Sequence, residues 1–188
     1  MVLAHGFCFK MTYKSELIRS MQYLAKFNNT IFIGQSVKYS GNAIFNTLAD
    51  VSNNKKIETP VFEDVQMGIS TGLSISGFVP ITCYPRFDFL ILAMNQLVNH
   101  LDKIRYMSLD DFKPKVIIRT SIGSKKPLDG GVQHTQDYSK VFKNILTEVD
   151  VFVLKNPKDI FKTFKNAYER KDSKSSLIIE YGDYYNKK

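Results

Sequence analysis

Two side chains of this sequence are well suited to handling protons: the carboxylate of Glu63 and the imidazole of His134. Glu63 follows a Thr-Pro turn and begins a helix-like segment, and its apolar neighbours are Val61, Phe62 and Val65. A carboxylate in dry, apolar surroundings forms stronger hydrogen bonds, and its pKa can rise. The simpler interpretation is a carboxylate that stabilises a helix N-terminus, and the local sequence alone favours it.

His134 lies in the segment GVQHTQ, at the end of a predicted loop over residues 119–136. A loop of this length in a compact domain is usually functional or disordered. An imidazole has an ordinary pKa near neutrality, which suits proton transfer. The alternative is a histidine of an exposed loop, which is the commoner fate of a lone histidine.

Helix-like and strand-like segments alternate along the chain and must position these residues. Helical spacing, caps and breakers predict helices at residues 12–27, 41–48, 63–76, 89–104, 138–146 and 158–170. Short apolar runs predict strands at residues 31–33, around 57, and at 78–84, 116–118, 151–154 and 177–179. Because the strands are continuously apolar, we expect an α/β fold with three layers, α/β/α, in which helices cover both faces of a mainly parallel sheet.

Two of the predicted helices have unusual compositions. Gly68, Gly72 and Gly77 weaken the helix over residues 63–76, and they are tolerable if something packs very close to it. The helix over residues 89–104 is apolar on most sides, so we expect it to be buried between layers or in an interface. Its polar interruptions make it unsuited to crossing a membrane.

Size and composition fit one globular domain. The chain has 188 residues, of which 44% are hydrophobic and 23% charged, and its net charge is +8. The positive charge is scattered, so we predict a solvated surface, open to an acidic partner subunit, rather than a nucleic-acid site. With two cysteines and no disulfide or zinc spacing, we expect a reducing cytoplasm.

Residues 1–10 are predicted to be an N-terminal extension, with an apolar run too short for a signal peptide or a membrane span. A single domain is then expected over residues 11–188. No phosphate-binding glycine loop, serine-hydrolase elbow or zinc-protease motif occurs in the sequence.

The order of segments from Glu58 to Ser108 resembles the pyrimidine-binding domain of beta subunits of thiamine-diphosphate-dependent 2-oxoacid dehydrogenases, a transketolase-like family. The resemblance rests on the spacing TP-x-x-E that ends at Glu63, the glycines after it, the Phe-Asp-Phe segment and the histidine segment GVQHTQ. It extends over roughly residues 11–185. It implies the same three-layer fold around a parallel sheet.

The resemblance also implies roles for single residues. Glu63 would activate thiamine diphosphate through a charge-assisted hydrogen bond to the pyrimidine N1′ atom. Phe89 would pack on the aminopyrimidine ring, with Phe87 as the alternative, although most phenylalanines belong to the core. His134 would serve the substrate side of the site.

Departures from the family pattern limit what this chain can do alone. The family usually has an acidic pair after the first strand, where this chain has Gln35 and Ser36. The loop SIGSKKPLDGG carries extra lysines, which are expected either to change access to the site or to favour an anionic substrate. No GDG motif with a downstream Asn is present, so the resemblance implies that a partner chain holds Mg²⁺ and the diphosphate. We also expect the third domain of the beta subunits, which helps them dimerise, to be lacking.

The sequence therefore predicts a beta-type subunit that acts on a 2-oxoacid, by decarboxylation with acyl or aldehyde transfer. It would work with an alpha-type partner, in an α2β2 assembly. Two enzymatic alternatives are a transketolase-like ketol transferase and a subunit of a split 2-oxoacid decarboxylase. A non-catalytic alternative is a relative that regulates or scaffolds an alpha-type chain.

Overall fold

A parallel sheet of six strands forms the centre of the domain. The computed structural model describes residues 11–187, so the predicted extension at residues 1–10 lies outside the described residues. The strands are β1 Thr30–Gly34, β2 Lys56–Glu58, β3 Val79–Tyr84, β4 Ile117–Ile122, β5 Val149–Val153 and β6 Ser175–Tyr181. They lie in the order β2-β1-β3-β4-β6-β5, and all neighbouring strands are parallel.

Helices cover both faces of this sheet. They are α1 Tyr13–Ala25, α2 Ala43–Leu48, α3 Glu63–Ile75, α4 Phe87–Leu90, α5 Ile104–Met107, α6 Ser139–Ile145 and α7 Pro157–Glu169. One buried apolar cluster joins the sheet to α1, α2 and α7, and a second joins the opposite face to α3, α4 and α6. The predicted three-layer α/β/α fold is confirmed. The strands are continuously apolar because helices cover both faces of the sheet.

Local sequence signals set the starts of the first and last helices. At α1, Thr12 Oγ1 accepts a hydrogen bond from Ser15 N at 3.1 Å, and Ser15 Oγ accepts one from Thr12 N at 2.8 Å. At α7, Asn156 Oδ1 accepts a hydrogen bond from Lys158 N at 3.0 Å, and Pro157 occupies the first helical position. Both helix starts confirm their predictions to within about one residue.

The prediction of a single regular helix over residues 89–104 is wrong. After α4 the chain forms a 3₁₀ turn at Ile91–Ala93 and a π-helix at Asn95–Leu101 before α5. The segment is buried on one face only, through Leu90, Ala93, Leu97 and Leu101. Leu92 is 63% exposed, so composition overstated the burial of this segment. No helix within residues 11–187 is long and apolar enough to span a bilayer.

The predicted loop over residues 119–136 begins too early, because β4 continues to Ile122. Arg119, the first residue of the predicted loop, is fully buried. Its Nε donates a hydrogen bond of 2.5 Å to Glu180 Oε1 on β6, and the Tyr185 hydroxyl also donates to Glu180. A buried charge is tolerated when it is paired and hydrogen-bonded, so this ion pair allows the strand to continue.

A second buried charge, Asp102, ties the end of the π-helix to the start of β5. Its carboxylate accepts hydrogen bonds of 2.8–3.1 Å from the backbone N–H groups of Thr147, Glu148 and Val149. Thr147 Oγ1 donates at 2.9 Å and Lys103 Nζ at 2.7 Å. Burial opposes ionisation, but the hydrogen bonds from Lys103, Glu148 and Thr147 outweigh it and hold the pKa of Asp102 below its ordinary value.

We expect Asp102→Asn to lower the free energy of unfolding by about 3 kcal/mol at pH 7, because an amide leaves buried N–H groups without a charged acceptor. The folded-state pKa lies below the unfolded one, so this contribution is complete above the unfolded pKa and is lost as the pH falls through the folded pKa. Urea unfolding of both proteins between pH 7 and pH 3 measures this, and a difference that does not shrink at low pH would contradict it.

Candidate functional site

The loops that carry the candidate residues leave the sheet at one edge. Gln35 follows β1, α3 begins shortly after β2, Arg86 follows β3 and Gly123 follows β4. Because these strands are parallel, their carboxyl ends meet at this edge, where open α/β sheets bind ligands. The predicted site residues that emerge here are Glu63, Phe89 and His134.

Glu63 is the first residue of α3 and is only 5% exposed. Its Oε1 accepts a hydrogen bond of 2.9 Å from Gln35 Nε2, and the described residues form no other hydrogen bond to its carboxylate. The Tyr84 hydroxyl donates to the backbone carbonyl of Glu63 at 3.2 Å, which fixes the start of the helix. The carboxylate is therefore buried and positioned but keeps acceptor capacity for a ligand.

The apolar neighbours expected to surround Glu63 do not do so within this chain. Val61, Phe62 and Val65 are 73%, 62% and 51% exposed. They lie before and within the first turn of α3, and their exposure contrasts with the burial of Glu63. Any apolar cover over this end of α3 must therefore come from outside the described residues.

Two polar side chains that sequence reasoning missed brace the loops around Glu63. Gln66 is buried on α3, and its Nε2 donates to Thr82 Oγ1 at 2.8 Å and to Cys83 O at 3.1 Å. Glu58, at the end of β2, accepts hydrogen bonds from the backbone N–H groups of the loop after β1, from Ser36 at 2.5 Å and from Lys38 at 2.8 Å. Two features of the sequence could have identified these side chains. Gln66 is a polar residue one helical turn after Glu63, and Glu58 is a polar residue at the end of a strand.

Phe89 and His134 meet at this edge although they are far apart in sequence. Their rings lie edge to face, with centroids 5.5 Å apart, and both side chains are partly exposed. Phe87, the alternative aromatic candidate, is fully buried and packs against Phe142 and Tyr138 at centroid distances of 5.0 and 5.6 Å. Phe87 therefore belongs to the core, and Phe89 is the ring that a ligand can reach.

His134 is held closely by two glycines. A Cβ atom on Gly123 would lie 1.8 Å from the His134 carbonyl oxygen, and one on Gly130 would lie 3.0 Å from His134 Cβ. The buried Nδ1 atom of His134 has no hydrogen-bond partner among the described residues. An unsatisfied ring nitrogen at a ligand-binding edge can accept or donate a proton.

A polar cleft of about 300 Å³ opens at the same edge, between α2, the ends of β3 and β4, and the turn after β6. Lys14 and Arg86 line it, and neither forms an ion pair with a described residue. The residues that line the cleft include no Asp or Glu. Half-buried cations without a counter-ion favour an anionic group in this cleft.

Two of the described residues suit the aminopyrimidine end of a thiamine cofactor. Glu63 can accept a hydrogen bond from an aminopyrimidine, and Phe89 offers it an aromatic face. Within residues 11–187, no group of three or more His, Cys, Asp or Glu side chains could hold a metal ion.

Comparison with known proteins gives the family. Residues 12–186 match the model of the transketolase pyrimidine-binding domain, and the chain belongs to that family. It is 29% identical over 123 residues to the pyruvate dehydrogenase E1 component subunit beta of Gracilaria tenuistipitata var. liui. It is 25% identical over 139 residues to the 2-oxoisovalerate dehydrogenase subunit beta of Bacillus subtilis (strain 168). These matches confirm the resemblance to beta subunits of 2-oxoacid dehydrogenases.

The matches cover unequal shares of the two chains. They span 63% and 71% of this chain but only 37% and 42% of those relatives, so this chain matches less than half of their length. The solved structure of a "split gene transketolase, inactive beta4 tetramer" superposes with a TM-score of 0.61, at 17% identity. The superposition covers 89% of this chain and 50% of that one, and at this identity it supports the fold alone.

We expect Gln35→Glu to make the stability of this edge depend on pH. The new carboxylate would lie near Glu63 Oε1, and repulsion between like charges would raise the pKa of the pair. A carboxyl group with a raised folded-state pKa destabilises the fold above that pKa and not below the unfolded pKa. The variant should lose about 1 kcal/mol of unfolding free energy between pH 5 and pH 8, relative to wild type.

The matched control for this measurement is Gln35→Leu, which removes the hydrogen bond without adding a charge. Chemical unfolding at both pH values compares the three proteins. Equal pH dependence in the Glu and Leu variants would contradict the electrostatic coupling of Gln35 and Glu63.

Proposed function

We propose that this chain is the pyrimidine-binding, beta-type subunit of a thiamine-diphosphate-dependent enzyme that acts on a 2-oxoacid and works with an alpha-type partner. The observation that carries the proposal is the under-satisfied, buried carboxylate of Glu63 at the start of α3, at the edge where Phe89 and His134 meet. When bound, thiamine diphosphate supplies the nucleophilic carbon for decarboxylation of the 2-oxoacid.

Glu63 has the role of holding a proton between its carboxylate and the pyrimidine N1′ atom. A hydrogen bond to an ionised acceptor is about twice as strong as a neutral one, and the low exposure of Glu63 strengthens it further. Gln35 occupies Oε1, so the remaining acceptor capacity of the carboxylate can be directed at the ligand. In this arrangement the amide of Gln35 orients Glu63 and leaves Oε2 available to the ligand.

Phe89 is the residue proposed to pack on the aminopyrimidine, since Phe87 is enclosed in the core. His134 is proposed to serve the substrate side of the site, where its partly exposed imidazole can exchange a proton with the bound substrate. A 2-oxoacid is an anion, and the cleft with Lys14 and Arg86 is a suitable place for its carboxylate. Turnover of a panel of 2-oxoacids and ketose phosphates would separate this reaction from ketol transfer.

The need for a partner is inferred from the surface next to Glu63. Val61, Phe62, Val65 and Ile69 form an exposed apolar face at the start of α3, and a side chain at Gly72 would meet nothing within 4 Å. Large exposed apolar patches mark interaction sites, and a glycine permits close approach of another backbone. An alpha-type chain on this face would exclude water from the carboxylate of Glu63 and would supply the site for the metal and the diphosphate. The proposed assembly is α2β2. The proposed compartment is the reducing cytoplasm.

We expect Glu63→Gln to abolish turnover by the complex with an alpha-type chain, with a loss of at least about a hundredfold, because an amide cannot hold the proton at N1′. Folding should be retained. Steady-state turnover of a 2-oxoacid and calorimetric binding of thiamine diphosphate to the reconstituted complex measure the effect. The control is Glu169→Gln, at the exposed end of α7 on the opposite edge of the sheet.

Each result separates the candidate roles. An active Glu63→Gln complex would refute the assignment of Glu63. The scaffolding alternative is motivated by the replacement of the acidic pair by Gln35 and Ser36. It would be favoured if the wild-type complex assembles but neither binds the cofactor nor turns over a 2-oxoacid.

We expect Gly72→Leu to weaken assembly with the alpha-type chain by at least about tenfold, since the new side chain prevents close approach across α3. The isolated chain should be no less stable, because leucine is a better helix former than glycine by about 0.5–1 kcal/mol. Sedimentation of the mixed chains and urea unfolding of the single chain measure the two effects. Asn166→Leu, an exposed position on α7, should leave assembly unchanged.

A further inference from the structure

The loop that leads to His134 has few polar attachments to the rest of the domain. The hydrogen bonds that join residues 124–133 to elements beyond the loop are donated by the backbone N–H groups of Lys125 and Lys126. The other bonds are local to the loop and its end: Ser124 Oγ donates to Leu128 O and Gly131 N to Asp129 Oδ1. Gly131 O accepts from His134 N at 3.0 Å and from Thr135 Oγ1 at 3.1 Å. The attachment of the loop that leads to His134 therefore depends on where the N–H groups of Lys125 and Lys126 are held.

Both N–H groups donate to the same oxygen atom. Asp183 Oδ1 accepts from Lys125 N at 2.7 Å and from Lys126 N at 3.0 Å. Asp183 lies in the 3₁₀ turn Gly182–Tyr184, directly after β6. A carboxylate that accepts from two successive amides forms charge-assisted hydrogen bonds, which are stronger than neutral ones.

The same turn also contacts the loop through its backbone. A Cβ atom on Gly182 would lie 2.6 Å from Ser124 N and 2.8 Å from Ile122 O, so only glycine permits this approach. At the other end of the loop, the Tyr181 hydroxyl donates to Asp137 Oδ2 at 3.4 Å. The end of β6 and the turn after it therefore hold the loop on both sides of His134.

We propose that Asp183 is a positioning residue for His134, acting through the backbone of Lys125 and Lys126. This inference rests on the proposed function for its catalytic consequence, but the structural link is independent of it. Without the carboxylate, His134 keeps its packing against Gly123 and Gly130, but the loop loses its polar attachment. His134 then loses its alignment with Phe89, and proton transfer by its imidazole slows.

The first test uses hydrogen–deuterium exchange on the full chain, without partner or cofactor. In Asp183→Ala, the amides of Lys125 and Lys126 should exchange at least about tenfold faster than in wild type, because their protection depends on this acceptor. In Asp183→Asn, whose side-chain oxygen still accepts, most of the protection should return. Unchanged exchange in Asp183→Ala would overturn the proposal.

The second test uses the complex with the alpha-type chain. Asp183→Ala should lower kcat by about tenfold or more, since small misplacements of a catalytic group are costly, and should leave the Kd of thiamine diphosphate within about twofold. Asp183→Asn should restore most of kcat. Asp172→Ala is the matched control, because Asp172 also accepts from a backbone N–H group, that of Lys174, in a distant turn.

These measurements distinguish the two proposals. If the wild-type complex binds no cofactor, the proposed function fails, whatever the exchange data show. If the cofactor binds and turnover is normal in Asp183→Ala despite fast amide exchange, Asp183 holds the loop but does not position a catalytic group, and the inference is overturned. Should Asp183→Ala fail to fold, Asp183→Asn and Gly182→Ala repeat the comparison, and Gly182→Ala should also release the loop.

Discussion

The parallel pairing of the strands is the constraint on which the rest of this structure depends. Gly34 pairs with Cys83, Tyr84 with Thr120, and Ile122 with Tyr181, so four strands end close together at one edge. A parallel sheet requires crossovers on its faces, and both faces of each central strand are therefore buried. The same geometry brings together loops that are distant in sequence, and the candidate site exists because of it.

Three buried carboxylates around the sheet, those of Asp102, Glu180 and Glu63, differ in their hydrogen bonding. Asp102 accepts from three backbone amides, a hydroxyl and an ammonium group, and Glu180 is paired with Arg119. Glu63 is almost as buried, yet its carboxylate accepts a single hydrogen bond, from Gln35. A buried polar group that is left partly unsatisfied costs stability, and such groups concentrate where a ligand completes the bonding. The hydrogen-bond count, rather than burial, distinguishes Glu63, the acid proposed to bind the cofactor, from Asp102 and Glu180.

Most elements followed from local patterns, and the failures had specific causes. The caps at Thr12 and Asn156 mark helix starts because their side chains bond to amides three or two residues away. The extent of β4 was missed because the partner of Arg119 is 61 residues away in sequence. The exposure of Phe62 and Val65 was also missed, since composition does not tell which helix face meets the sheet.

The sequence by itself determined the fold class, the helix and strand periodicity, and the family-like placement of Glu63, Phe89 and His134. Each of these depends on residues that are close together in sequence, because their hydrogen bonds and the spacing of apolar residues act locally. Only the tertiary structure decided that Phe89 rather than Phe87 is accessible, that Gln35 binds Glu63, and that Asp183 holds the loop of His134. Those contacts join segments that meet only after the parallel sheet has brought their strand ends to one edge.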